Sequence, residues 1–369
     1  MIDRGVVAAH ALEFSRFLGA VKAAVEARLV TLLTERAAAR ASAGPEAADV
    51  LANARDLTLR GGKRYRAGML AATYFAVASR RGPVDVGALD DTVLGGGVAL
   101  ELLQSYLLVQ DDWMDGDVER RGGPSAHVAL ARSLGSAHRG ECGAIMAGDY
   151  LFGLAVESLA SVPAPAERVL EALKFFTRVH EDVVVGQVLD TVATNADIEV
   201  LHALKTGSYT VRGPVLLGAI LGGATPADVE LLSAYADPIG VAFQLRDDLI
   251  GVFGTEQEAG RPAGSDLRSA KNTAVMREAF PRLSKDDRAI VDAVWGKPDS
   301  DAAAIAAAVR VIERSGARRA VEARLFELCA DAETRASRMP YAELPRALLV
   351  GGAAALRSIP KPSASEGAP

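Results

Sequence analysis

Four aspartates, Asp111, Asp112, Asp115 and Asp117, crowd the stretch VQDDWMDGDVERRGGPSAH, which then switches sign at Arg120 and Arg121. A helix over residues 99–114 places Asp111 and Asp115 one turn apart on one face. Carboxylates so placed either repel each other or bind a cation. A second pair, Asp247 and Asp248, lies in FQLRDDLIGVFG, where a helix over residues 243–252 carries Gln244 and Asp247 on neighbouring turns. Hard cations such as Mg²⁺ take carboxylate oxygens and are usually held by one or two carboxylates together with substrate phosphates. Two such helices facing each other would hold a metal-phosphate cluster between them.

Basic residues suited to phosphate are distributed along the same chain. LRGGKRYR offers Lys63 and Arg66 three apart on one helical face, after a glycine pair that lets the backbone approach a ligand. Arg120 and Arg121 follow the first acidic helix, LKTGSY brings Lys205 and Thr206, and GRPAGSDLRSAKNT brings Arg261 and Lys271. Arginine grips phosphate with a planar fork and lysine as a point charge. The set suits a ligand with more than one phosphate group. Each feature alone has a plainer explanation, since an Asp pair on a helix is more often a solvated face. The ensemble argues against it. The helix leading to Asp111, ALELLQSYLLV, is strongly apolar, so its carboxylates emerge from a buried element where unpaired charge is costly.

The elements that must position these residues are helical. The chain has 369 residues, 50% hydrophobic and 5% aromatic, which favours helices over sheets. Turn signals such as SAGPE, RRGPVD, RRGGPS, VPAPA, GGATPAD and GKPDS cut it into helix-length pieces. In the first piece Leu12, Phe17, Val21, Val25 and Leu29 recur at helical steps. The expectation is an all-α fold, one domain over residues 1–356 and a disordered tail over 357–369. With 41 basic against 47 acidic residues, nothing suggests nucleic-acid binding. Cys142 and Cys329 are too few for a disulfide framework, no signal peptide is expected, and the apolar run 94–109 is too short to span a membrane. A cytoplasmic protein follows.

In this order the motifs resemble the trans-isoprenyl diphosphate synthases, the polyprenyl synthetase family, from about Leu51 to Thr273. The resemblance implies a class I isoprenoid synthase bundle of long antiparallel helices around a central cavity, assembled as a homodimer. It implies that Asp111 and Asp115 bind two Mg²⁺ ions and Asp247 a third, with Asp112 and Asp248 in support. Arg120, Lys205, Lys271 and Arg261 would assist at the diphosphate of an allylic substrate, while isopentenyl diphosphate would lie on Lys63, Arg66, Gln104 and Arg121. Thr206, Gln187, Asp190 and Gln244 would form the walls and hold the ligating groups. Gln104 stands seven residues before Asp111, two turns away on the same face, which agrees with its place in this set.

Two points depart from or extend the family pattern. The second motif reads Asp247-Asp248-Leu249-Ile250-Gly251, so its final aspartate is missing. Tyr106 lies five residues before Asp111, about 7.5 Å lower along the helix, and in the family an aromatic there, with Leu107 beside it, implies a short-chain product of C20, or next C15. The competing readings are a class I terpene cyclase, which needs only one diphosphate site, and a non-catalytic partner subunit of a synthase.

Overall fold

The computed structural model describes residues 3–192, 200–201, 203–259 and 264–359. Arg261 lies outside them, as does the tail beyond residue 359. By internal contact the chain divides into two units, Met1–Gly240 with Ala332–Ala354, and Val241–Asp331 with Ala355–Pro369. The fold is all-α, as the periodicity predicts; among the described residues the strands are confined to one two-residue pair.

In the first unit, α1 (Arg4–Ala38) buries Phe14, Phe17, Val21, Val25, Leu29 and Leu33, a stripe stepping by three and four. Leu12, expected on that stripe, is 55% exposed. Phe14 takes its place because the regular step back from Phe17 is three residues, not five. After α2 (Pro45–Leu59) come α3 (Tyr65–Ala78) and α4 (Asp91–Asp115). Asp90 caps the start of α4 by accepting from the Val93 amide, and Gly116, left-handed at φ 70°, ends it directly after Asp115. A hairpin of β1 (Glu119–Arg120) and β2 (Gly123–Pro124) leads to α5 (Ala126–Leu134), α6 (Ala137–Ala160) and α7 (Ala166–Thr191). A π-helix, Ala203–Arg212, runs straight into α8 (Gly213–Gly222), whose residues are all buried. α4 packs chiefly on α6, α3 on α8, and the π-helix on α7.

By length and composition α4 and α6 are both apolar enough to cross a membrane. That differs from the expectation for residues 94–109, because the full α4 is longer than that run. Its apolar stretch is nevertheless 72% buried against other helices. Packing within the unit accounts for its hydropathy.

The second unit holds the last part of α9 (Pro226–Phe253), three short helices α10 (Glu256–Ala259), α11 (Ser265–Arg268) and α12 (Ala274–Ala279), and then α13 (Lys285–Asp292), α14 (Ala302–Arg314) and the first part of α15 (Ala317–Ser337). Arg318 fastens these together, pairing with Glu313 at 3.1 Å and Glu322 at 2.7 Å while its guanidinium lies over the Phe253 ring. The closing helix, α16 (Glu343–Ala354), packs on α1 in the first unit.

Candidate active site

Asp111, Asp112 and Asp115 occupy the final turns of α4, where unsatisfied carbonyls make the helix end negative. Added carboxylates there demand positive charge. Asp115 is exposed and Asp111 is 26% exposed at its side chain, whereas Asp112 is fully buried. Arg120 Nε donates to Asp112 Oδ1 at 2.6 Å, and the same guanidinium reaches Asp117 Oδ2 at 3.1 Å and Asp111 Oδ2 at 3.9 Å. The second oxygen of Asp112, Oδ2, is buried with no hydrogen-bond partner among the described residues. Burial pushes the Asp112 carboxyl up to about 6, Arg120 pulling against it and Asp111 and Asp117 adding to the rise.

Lys205 supplies the second cation. Its Nζ lies 3.0 Å from Asp111 Oδ1 and also bonds Asp190 of α7. Burial opposes its charge, but Asp111 and Asp190 outweigh that and hold it above the usual lysine range. The π-helix presents Lys205 because Gly186 lets its backbone press onto α7; a Cβ at Gly186 would collide with the Lys205 main chain. Longer π-helices are rare and recur at functional sites. On the same face of α7, Gln187 donates to Thr191 Oγ1 at 3.2 Å and lies 3.7 Å from Met114 Sδ. Thr206 is half-buried one residue after Lys205.

The RRGG turn divides the two arginines between separate places. Arg121 and Gly122 both have positive φ, 53° and 71°, the geometry of a two-residue type I′ hairpin. Arg60 clamps this hairpin, donating to Pro124 O at 2.7 Å and Arg120 O at 3.3 Å. Arg120 therefore faces the carboxylates, while Arg121 Nη1 donates to Gly61 O at 3.2 Å and lies along Gly62. Around Arg121 stand Arg64 and Arg66, with Glu101 in opposition. Burial, strengthened by Arg64, Arg66 and Arg120, lowers the Arg121 guanidinium to about 10. Arg66 Nη2 donates to Thr210 Oγ1 at 3.0 Å and the guanidinium lies 4.5 Å from the Tyr209 ring centre. Its Nε is buried without a partner among the described residues, as is Gln104 Oε1. A concentration of buried positive charge with an orphaned donor is chemically an anion site. Lys63 is exposed at the N-terminal edge of the same segment and adds a further positive charge.

In the second unit the second Asp pair repeats the division seen in the first. Asp247 is exposed and Asp248 is 4% exposed. Asp248 accepts from Gln244 Nε2 and from the Ala274 amide, each at 2.7 Å, so it ties α9 to the start of α12. Burial raises its carboxyl above the usual range, with those two hydrogen bonds opposing and Asp266 adding to the rise. Gly251, where an aspartate is missing, is filled from elsewhere: a Cβ there would fall on the carboxylate of Asp266, which is 2% exposed. Gly251→Ala is expected to cost about 1–3 kcal/mol by overpacking, measured by denaturant midpoint. The cost should disappear in an Asp266→Gly background; an equal cost in both backgrounds would refute this packing.

The polyprenyl synthetase family model matches residues 48–312. The chain belongs to the polyprenyl synthetase family. It is 33% identical over 261 residues to a geranylgeranyl diphosphate synthase of Methanosarcina mazei, covering 69% of this chain and 73% of that protein. Its fold superposes with a TM-score of 0.82 on geranylgeranyl pyrophosphate synthase from Corynebacterium glutamicum, solved with isoprenyl diphosphate and magnesium, at 29% identity over 94% of this chain and 99% of that one. Polyprenyl synthase from Caulobacter crescentus, solved with calcium and isoprenyl diphosphate, gives a TM-score of 0.74 at 25% identity, covering 93% and 97%. The chain is a trans-prenyltransferase of this polyprenyl synthetase type.

As a polyprenyl synthetase it brings Asp111, Asp112, Lys205, Arg120 and Asp190 together on one side of the hairpin, and Arg64, Arg66 and Arg121 on the other, while Gln104 is buried on α4. Gln244, Asp247, Asp248 and Lys271 gather in the second unit. Among the described residues no three His, Cys, Asp or Glu groups converge as a ready metal cage. Lys205 and Arg120 instead neutralise the acidic face. The donor set still fits a hard divalent ion: all its groups are carboxylates, Asp112 Oδ2 has no donor among the described residues, and the helix end is itself negative.

Sequence reasoning missed Arg64, Glu101, Tyr209, Thr210 and Asp266. Arg64, Tyr209 and Asp266 stand inside motifs already singled out for their neighbours. Membership of a motif was the available signal for them.

Proposed function

We propose that the chain condenses isopentenyl diphosphate head-to-tail with an allylic diphosphate, using Mg²⁺, to give a C20 prenyl diphosphate. The observation that carries this reading is the cluster of Arg64, Arg66 and Arg121, electropositive and separate from the Asp111 face yet joined to it by consecutive residues Arg120 and Arg121. A terpene cyclase binds one diphosphate and has no use for that second anion site.

Asp111 and Asp115 would hold divalent ions in the first unit and Asp247 would hold one in the second, with Asp112 and Asp248 each orienting its own motif. When bound, the ions supply positive charge that stabilises diphosphate as it departs. Arg120 and Lys205 contribute preorganised charge in the first unit and Lys271 in the second, and the family resemblance adds Arg261. Thr206 and Gln244 stand beside these groups. Lys63, Arg66, Gln104 and Arg121 fix isopentenyl diphosphate with its double bond toward the allylic carbon. The allylic C–O bond breaks, the double bond closes a new C–C bond on the cation, and a proton leaves to the released diphosphate. Apolar walls keep water from the cation.

C20 is favoured because Tyr106 projects from α4 one to two turns below Asp111, with the smaller Leu107 beside it; the Methanosarcina relative is a geranylgeranyl diphosphate synthase. A homodimer in the cytoplasm belongs to the same reading. The apolar stretch of α6 is only 44% buried within the chain, which leaves surface for a second copy to cover.

Mass spectrometry tests the proposal directly. Purified protein with Mg²⁺, isopentenyl diphosphate and, separately, C5, C10 and C15 allylic diphosphates should yield C20 diphosphate. Failure to condense with any primer would reject it, and diphosphate release from the allylic substrate alone would favour a cyclase.

A further inference from the structure

Below the carboxylates, α4 and α7 are joined a second time. Tyr106 Oη and His180 Nε2 lie 3.2 Å apart, with ring centres at 5.4 Å. His180 sits seven residues before Gln187, two turns along the same face of α7, so this pair is a lower rung beneath the one made by Asp111, Lys205 and Asp190. α6 closes the remaining sides. Phe152 lies 5.3 Å from Tyr106 and 4.4 Å from His180, centre to centre, and Phe176 stacks behind Phe152 at 6.4 Å. Gly148 leaves the Tyr106 ring resting on the α6 backbone, since a Cβ there would come within 3.2 Å of Cδ2.

An unsupported tyrosine on a helix can swing to another staggered rotamer when a growing chain pushes on it. Here the phenol is tethered at its hydroxyl and flanked by rings, so swinging requires breaking a half-buried hydrogen bond and an aromatic stack together. Desolvation also lowers the basicity of His180, which favours the neutral imidazole beside an apolar tail. Resting on the reading of Tyr106 as the product floor, we propose that His180 is a positioning residue that locks the Tyr106 ring and so sets product length. Among the described residues the hydrogen-bond and ring partners of His180 are Tyr106 and Phe152, both within this rung.

The test is product analysis with a C15 primer and excess isopentenyl diphosphate. His180→Ala is expected to raise the share of products longer than C20 several-fold with KM for isopentenyl diphosphate unchanged. Tyr106→Phe, which keeps the ring but loses the tether, should move the distribution in the same direction, and His180→Gln, which retains a hydrogen-bonding group, should largely restore C20. Because His180→Gln and Tyr106→Phe preserve bulk, they decide the matter even if the alanine variant does not fold. If Tyr106→Ala lengthens the product while His180→Ala and Tyr106→Phe do not, Tyr106 acts alone and the lock is refuted. If none of these variants changes the product of an enzyme that still condenses, the Tyr106 floor is refuted with it.

Discussion

Asp111→Asn is expected to reduce turnover about 10²–10³-fold, the loss typical of removing one preorganised group that stabilises developing charge. The substitution keeps the shape of the side chain and removes its charge, so the helix end loses the group that Lys205 meets at 3.0 Å. Lys205 keeps Asp190 as a partner, and Asp111 is 26% exposed at its side chain, so stability should change by less than about 1 kcal/mol. The effect belongs to the chemistry and not to the fold. Steady-state kinetics with Mg²⁺ titration checks this: kcat should fall and the Mg²⁺ needed for half-maximal rate should rise. A variant with parental kcat would remove Asp111 from the metal site. Asp112→Asn acts differently, because that carboxylate is buried and holds Arg120, so its loss should shift stability as well as rate.

The contrast between these neighbours shows how far the sequence could be read. Spacing of four residues places Asp111 and Asp115 on one face whatever surrounds the helix, so their shared placement was legible. That Asp112 turns inward, and that Asp248 does the same beside Asp247, depends on packing that no local pattern encodes. The family resemblance already assigned Arg120 and Arg121 to different diphosphates, but the turn that sends them apart was not legible. Their divergence rests on positive φ at Arg121, which a β-turn prediction built on Asn-Gly or Asp-Gly would not assign to arginine. The π-helix had no sequence signal, because its extra residue per turn is imposed by contact with α7 at Gly186. Leu12 and Phe14 show the same limit within a correctly assigned helix: two apolar residues compete for a stripe, and tertiary contact selects one.

Arg64→Met is expected to destabilise the protein by about 3–5 kcal/mol, the cost of leaving a buried charge without its partner. Arg64 has no exposed side-chain surface; it pairs with Glu101 at 2.9 Å and Glu26 at 3.1 Å and donates to Thr58 O at 2.8 Å. Glu26, 31% exposed, can return to water, whereas Glu101 at 4% cannot. These contacts also hold Arg64 at φ 52°, a left-handed conformation that costs a non-glycine residue roughly 1–2 kcal/mol and that directs α3, and with it Arg66, toward the anion pocket. The second change, Glu101→Leu, should return most of the lost stability, because replacing a whole buried ion pair with apolar groups is often neutral. It should not restore function. With Arg64 and Glu101 both gone the Gly61–Gly62 segment loses its anchor and Arg121 loses the opposing carboxylate of Glu101, so KM for isopentenyl diphosphate should stay high while KM for the allylic substrate changes little. Denaturant unfolding of the two single variants and the double variant, read beside those two KM values, separates the outcomes: recovery of isopentenyl diphosphate binding in the stable double variant would mean that the triad serves the fold alone.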